Sequence, residues 1–118
     1  MRRRFAAVGE RDLVDVRDAL EVAAARLAAL RRTEEDLRRL DGLLDSGTAF
    51  HRALVAASHN EALIALYSDL TQLLPYDEDR AGRACAGHAR LLTAVHASAP
   101  QAAAAEAVSH VPAWHVST

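Results

Sequence analysis

The sequence predicts an all-α protein, an antiparallel bundle of about six helices. Hydrophobic residues make up 51% of the 118 residues and aromatic residues only 4%. Most of the apolar residues are alanine and leucine, the two apolar types that most favour a helix. They recur at spacings of three and four residues, without the alternating pattern of a strand. The length fits one domain, and short connections between the helices favour antiparallel neighbours.

The first two helices are predicted on either side of Thr33. The first runs from about Glu10 to Arg32. Its inward-facing apolar residues are predicted to be Leu13, Val16, Leu20, Ala23, Leu27 and Leu30. Thr33 caps the second helix, with Asp36 completing an approximate capping box, and the sequence "DSG" at 45–47 ends it. The apolar stripe of the second helix is Leu37, Leu40, Leu43 and Leu44.

The third predicted helix lies in "TAFHRALVAASHN", residues 48–60, and has an imidazole on its inner face. His51 shares that face with Phe50, Leu54 and Val55. Asn60 is a suitable cap for the fourth helix, which Pro75 ends. The inward-facing residues of the fourth helix are predicted to be Leu63, Leu66, Tyr67, Leu70, Leu73 and Leu74.

The last two helices lie on either side of Pro100. The fifth follows the polar segment "YDEDRAG" and reaches about Ser98. Pro100 opens an alanine-rich sixth helix that reaches His110, and Pro112 closes it. The inward-facing residues of the fifth helix are predicted to be Ala84, Cys85, His88, Leu91, Leu92 and Val95.

Charge and hydropathy exclude several classes of function. The 14 basic and 16 acidic residues give a formal net charge of −2, so the chain has no electrostatic footprint for nucleic acid, and only "MRRR" is basic. The single cysteine, Cys85, excludes an internal disulfide framework and fits a reducing compartment. No apolar run is long enough for a membrane span or a signal peptide. We therefore expect a soluble cytoplasmic protein without membrane contact.

Three of the six histidines, His51, His88 and His110, lie on inward-facing positions of different predicted helices. A single histidine on an apolar face is more often a hydrogen-bonded core residue. Neutral imidazole is also the commonest metal ligand in proteins, and helical bundles build metal sites from side chains on facing helices. Three inward histidines therefore favour a metal site, although periodicity alone leaves open whether they meet.

Three segments in order resemble the FCD domain, the effector-binding half of FadR-type regulators in the GntR family. They are "DLVDVRDALEVAAARLAALRRTEEDLRRLDGLL", "AFHRALVAASHNEALIALYSDL" and "GHARLLTAVHASAPQAAAAEAVSHV". The resemblance spans residues 12–111 and includes the 22-residue interval between His88 and His110. It implies a helical bundle that forms a homodimer. It also implies a small carboxylate effector and a central divalent metal, often zinc or nickel, held by three histidines and one aspartate.

The resemblance assigns the metal ligands as His51, His88 and His110. The aspartate of the family falls on Gly47, which leaves Asp45 as a doubtful fourth ligand that is available only if residues 45–47 are not helical. Three arginines are candidates to bind an effector carboxylate through bidentate contacts. They are Arg80, Arg83 and Arg90.

We therefore interpret residues 12–111 as an effector-sensing domain, residues 1–11 as a basic segment or linker remnant and residues 112–118 as a tail. The winged helix-turn-helix of the family is missing ahead of Asp12, so we expect DNA contact only through that missing part. One alternative is a degenerate helical dimerisation domain without metal. The other is a metal-dependent hydrolytic enzyme, which we rank last because no local motif supplies a general base; our expectation is that the chain is not an enzyme.

Overall fold

The helical bundle predicted from the sequence is confirmed. The computed structural model describes residues 8–74 and 85–109, apart from the side chains of residues 85 and 86, and shows no strand within those ranges. No helix in these ranges is both long enough and apolar enough to cross a membrane. The six helices are α1 (Glu10–Arg31), α2 (Glu34–Gly42), α3 (Thr48–Ala57), α4 (Glu61–Thr71), α5 (Cys85–His96) and α6 (Pro100–Ser109).

Helix α1 is the centre of the bundle and packs against α3, α4, α5 and α6. Its contact with α6 is lined by small residues, because Ala25, Ala28 and Ala29 on α1 and Ala103 and Ala107 on α6 all belong to the main hydrophobic core. Alanine side chains allow two helix backbones to approach closely, and added methylene groups in such a contact would force one helix away.

The inward face predicted for α1 is partly wrong. Val16 and Leu30 are 51% and 57% exposed, whereas Leu13 is buried as predicted. The buried face is rotated toward smaller and charged residues, and the leucine stripe lies at its edge. The buried residues of α1 are Leu13, Val14, Arg17, Asp18, Glu21, Ala24, Ala25, Ala28 and Ala29.

Two adjacent arginines at the C-terminal end of α1 form hydrogen bonds with the C-terminal ends of α3 and α5. Arg31 donates to the carbonyl oxygens of Ser58 and His59, which follow α3, both at 3.5 Å. Arg32 donates through Nη2 to the carbonyl oxygen of His96, the last residue of α5, at 2.9 Å. These carbonyl groups lack partners within their own helices, so basic side chains satisfy them.

Helix α2 begins with the capping box predicted from the sequence. The backbone N–H of Asp36 donates to Thr33 Oγ1 at 3.1 Å, and the backbone N–H of Thr33 donates to Asp36 Oδ2 at 2.9 Å. The same carboxylate oxygen lies 2.6 Å from Nε2 of His59, which follows α3 in the left-handed conformation with φ of 50°. The cap of α2 therefore also holds the end of α3.

Replacing Asp36 with asparagine should lower the free energy of unfolding by about 1 kcal/mol near neutral pH, the usual contribution of a helix cap. Burial raises the pKa of Asp36, but hydrogen bonds with the Thr33 backbone and the His59 imidazole outweigh it, so this pKa lies below the ordinary value of 3.8. A carboxyl group with a depressed pKa stabilises the folded state above its unfolded-state pKa and loses that contribution as pH falls through its folded-state pKa.

Urea denaturation at about pH 6 and about pH 3 measures the effect, which should shrink at the lower pH as Asp36 becomes protonated. Glu35→Gln is the matched control, because it removes an acidic charge from the same first turn. Glu35 pairs with Arg39 at the surface, at 3.8 Å, and such pairs contribute little. A difference between wild type and Asp36→Asn that stays constant with pH would contradict the role given to this carboxylate.

Candidate metal centre

The structure brings two of the three predicted histidines together in the core. His51 on α3 and His88 on α5 are buried, and their Nε2 atoms lie 3.3 Å apart. The two rings are nearly perpendicular, with an interplanar angle of 79° and centroids 5.0 Å apart. Two histidines that are 37 positions apart in the chain therefore direct their Nε2 atoms at the same point in the core.

His88 is fixed on two sides. Its Nδ1 lies 2.9 Å from the carbonyl oxygen of Leu44, and its ring stacks on Phe50 with centroids 4.1 Å apart and an angle of 15°. Leu44 lies in a turn, because α2 ends at Gly42 instead of continuing through Leu44 as predicted. The early end of α2 leaves this carbonyl outside the helix, where it can accept from the imidazole.

His51 is oriented from α1 and α4. Its Nδ1 lies 3.3 Å from Oε1 of Glu21, a buried carboxylate on α1. The hydroxyl of Tyr67 on α4 donates to the same oxygen at 2.8 Å. A carboxylate at the far nitrogen of a ligating histidine is a common arrangement in metal sites, where it fixes ring orientation and raises basicity.

The positions of the ring hydrogens follow from these partners. A carbonyl oxygen only accepts, so Nδ1 of His88 carries a hydrogen, and neutral His88 has a lone pair on Nε2. The Glu21 carboxylate likewise favours a hydrogen on Nδ1 of His51. The two Nε2 atoms lie within hydrogen-bond distance of each other, and this contact is favourable with a hydrogen or a cation between them.

The pair fits two ligands of one zinc ion. Zinc binds imidazole nitrogen at about 2.0–2.1 Å, so two nitrogens of a tetrahedral site lie about 3.3–3.4 Å apart. The observed separation of the Nε2 atoms is 3.3 Å. Within the described ranges, however, no group of three His, Cys, Asp or Glu residues is placed to hold a metal ion. The described residues thus supply two converging nitrogens and no third ligand.

A buried ion pair lies on the same face of α1, one helical turn before Glu21. Nη2 and Nε of Arg17 lie 3.3 and 3.4 Å from Oδ1 of Asp18, and both side chains are buried. Burying charged groups is costly unless they are paired. Arg17 is thus a cation held inside the bundle, close in the chain to the carboxylate that orients His51.

The other predicted site residues are placed differently or lie outside the described residues. His110, Arg80 and Arg83 are outside. Asp45 is exposed in a turn, and Gly47 caps α3 with φ of 50° and ψ of −105°, a conformation that an aspartate there would rarely adopt. Residues 45–47 are non-helical, which is the condition set for Asp45 as a ligand, but the structure does not place it beside the histidines.

Arg90, the third candidate effector ligand, lies at the surface. Its side chain is 63% exposed, and its Nε lies 3.4 Å from Oε2 of Glu106. This pair links α5 to α6 on the outside of the bundle. Arg17 is buried among the polar core residues instead, so within the described ranges it is the better candidate for an anion.

The roles of Arg17, Glu21 and the Tyr67 hydroxyl were not predicted from the sequence. A signal was present, since Arg17 and Glu21 are four residues apart and share a helix face with Ala24, Ala25 and Ala28. The leucine stripe on the neighbouring face masks this signal, because a face of charged and small residues is typical of the solvent side of a helix. Tyr67 was correctly predicted to face inward, and it is buried.

Two comparisons with known proteins both indicate similarity to transcriptional regulators or to a domain of them. A family model described as the FCD domain matches residues 12–113. The HTH-type transcriptional regulator LutR of Bacillus subtilis (strain 168) is 40% identical over 78 residues, which cover 54% of this chain and 36% of that regulator. The matched part thus spans little more than a third of the length of this relative.

Proposed function

The chain belongs to the FCD domain family, and from this membership we propose that it senses a small organic acid for a GntR-type transcriptional regulator. The observation that carries the proposal is the convergence of the two imidazole Nε2 atoms of His51 and His88 in the core. We propose that a divalent metal, zinc or nickel, binds between them. His110 is the proposed third ligand, by its resemblance to the family pattern.

A metal bound there would supply a positive centre for carboxylate oxygens. The chain itself keeps the two histidines in place through Glu21 and the Leu44 carbonyl, and Phe50 covers one face of His88. These contacts are the kind that orient ligands and tune metal affinity. The absence of an aspartate at Gly47 removes one negative ligand, which should weaken metal binding relative to a site with that ligand.

Arg17 is the described residue that we propose to bind the effector carboxylate. Its guanidinium is always charged and offers several donors in a planar fork. In the structure, it uses Nε and Nη2 on the neighbouring Asp18. An organic acid that approaches from the α1 side would compete with Asp18 for these donors.

Effector binding would act on the regulator by shifting the bundle between two arrangements. The site joins four helices, because Glu21 lies on α1, His51 on α3, Tyr67 on α4 and His88 on α5. A ligand that binds one arrangement better shifts the equilibrium by its difference in affinity. We propose that DNA is contacted by a helix-turn-helix outside residues 12–113, and that the regulator is a cytoplasmic homodimer.

Metal analysis followed by effector titration tests the proposal. The purified chain is expected to contain, or to take up, about one equivalent of zinc or nickel, measured by inductively coupled plasma mass spectrometry. Isothermal titration of the loaded chain with short monocarboxylic, hydroxy and dicarboxylic acids should then find stoichiometric binding that disappears after chelation. Mass spectrometry of the acids after incubation should show no turnover.

Two results would favour other functions. No metal uptake and no acid binding by a folded chain would favour a helical dimerisation domain without ligand, an alternative that glycine in place of the family aspartate at position 47 supports. Hydrolysis of an added ester that depends on metal would instead establish an enzyme.

A further inference from the structure

A cavity of about 280 Å³ opens at the surface between α3 and α4. Helix α3 contributes Arg52 and Val55 to its lining. Helix α4 contributes one face, whose lining residues begin at Ile64 and recur at spacings of three and four residues to Thr71. Neither histidine of the proposed metal centre lines this cavity, so it is a separate feature of the bundle.

The inner wall of the cavity is apolar. Val55 and Tyr67 are buried there, and Ile64 packs against the small cluster to which both belong. The hydroxyl of Tyr67 donates to Glu21 inside the bundle at 2.8 Å, so the polar end of this side chain is already bonded within the core. An occupant of the cavity therefore needs an apolar body to cover this wall.

The mouth of the cavity is polar and carries one positive charge. Arg52 and Ser68 are exposed there, and Arg52 is the one charged residue among the described residues of the lining. Within residues 8–74 and 85–109, no carboxylate pairs with Arg52. Thr71 uses its hydroxyl hydrogen on the carbonyl oxygen of Tyr67 at 2.8 Å, which leaves Ser68 as the better hydroxyl donor. The mouth thus offers a guanidinium and a hydroxyl to an anion.

We propose that this cavity binds a small monocarboxylate whose apolar body is about the size of one ring. The guanidinium of Arg52 holds the carboxylate in the bidentate geometry that suits both groups, and the body lies against Val55, Ile64 and Tyr67. Sites for drug-sized ligands occupy about 300–1,000 Å³, so a cavity of about 280 Å³ fits a smaller ligand. One cation balances one carboxylate, whereas a dicarboxylate or a phosphate would leave negative charge unpaired. This acid site needs no metal and is independent of the histidine pair.

Ligand-observed NMR with benzoate, on the purified chain in the presence of EDTA, tests the site. Wild type is expected to bind one benzoate per chain. Acetate keeps the carboxylate without the apolar body, and benzyl alcohol keeps the body without the charge. Each is expected to bind at least about tenfold more weakly than benzoate, because each loses one of the two contacts that the cavity offers.

The charge contact is tested by replacing Arg52. Arg52→Gln should raise the benzoate dissociation constant at least about tenfold, because a charge-assisted contact is lost. Arg52 also borders a groove between α2 and α3, together with Arg39. Arg39→Gln is therefore the matched control for both the lost charge and that groove, and it should leave the dissociation constant unchanged.

The location is tested by filling the cavity. Ser68→Phe places a ring at the mouth and should abolish benzoate binding without disturbing the core, because Ser68 is exposed. Ala65→Phe is the matched control, since Ala65 is also exposed on α4 but does not line the cavity. It should bind benzoate as wild type does.

Three outcomes would overturn the proposal. They are no benzoate binding by folded wild type, equal effects of Arg52→Gln and Arg39→Gln, and binding that requires zinc and is lost in His88→Asn. The last of these would place the acid at the metal centre instead. Benzoate binding by a chain that takes up no zinc would leave the cavity site standing and remove the metal sensor, so the two proposals fail separately.

Discussion

His88→Asn is expected to weaken zinc binding by at least about 100-fold while the bundle stays folded. Changing an outer residue that only orients a metal ligand typically costs 10–100-fold in affinity, and losing the ligand itself costs at least as much. An asparagine amide keeps a donor near the position of Nδ1, where His88 contacts the Leu44 carbonyl, but it has nothing at the position of Nε2. The substitution thus removes the proposed ligand atom and retains the structural hydrogen bond.

Zinc affinity is measured by competition with a chromophoric chelator, and helix content by circular dichroism at the same concentration. His51→Asn should give the same result, because its Nδ1 faces Glu21 and its Nε2 faces His88. The matched control is His96→Asn on the same helix as His88, since the side chain of His96 is exposed. Zinc binding by a folded His88→Asn variant with wild-type affinity would exclude the histidine pair as the metal centre.

The architecture was predictable because helix signals in this sequence are local. Thr33 with Asp36, Asn60 and Pro100 each mark a helix start that the structure confirms. The orientation of α1 was not predictable from its leucines, because two faces compete on that helix. Ala25, Ala28 and Ala29 have less apolar surface than leucines, yet they are buried since they allow α6 to approach. Packing between helices decides which face of α1 is buried, and the periodicity of residues within one helix carries no information about that packing.

The two histidines of the candidate site were predictable from the sequence, but the groups that orient them were not. His51 and His88 stood out as polar residues on apolar faces of different helices, and the structure joins them. Glu21 and Tyr67 did not stand out, because a carboxylate on a helix usually faces solvent and a tyrosine usually only packs. The Leu44 carbonyl is a backbone group that becomes available only where α2 ends, so the identity of the residue at position 44 gives no signal for this contact.

Phe50→Ala is expected to lower the free energy of unfolding by about 3–5 kcal/mol, a large part of the total for a domain of this size. Phe50 is fully buried in the main core, and its ring stacks on His88 with centroids 4.1 Å apart. Alanine leaves a cavity that helices α3 and α5 can fill only by moving together, which would also displace the imidazole of His88. Urea denaturation followed by circular dichroism measures the loss.

Phe50→Leu separates packing from stacking at the same position. Leucine restores most of the apolar volume, so the cost should fall below about 1.5 kcal/mol, but it lacks a flat ring to lie against His88. Val108→Ala serves as the surface control, because Val108 is exposed, and it should change the stability by no more than about 0.5 kcal/mol. If Phe50→Leu restores stability and still weakens zinc binding, the ring positions the imidazole as well as filling the core. If zinc binding recovers fully with stability, Phe50 acts only through its volume, and the Leu44 carbonyl is then the contact that orients His88.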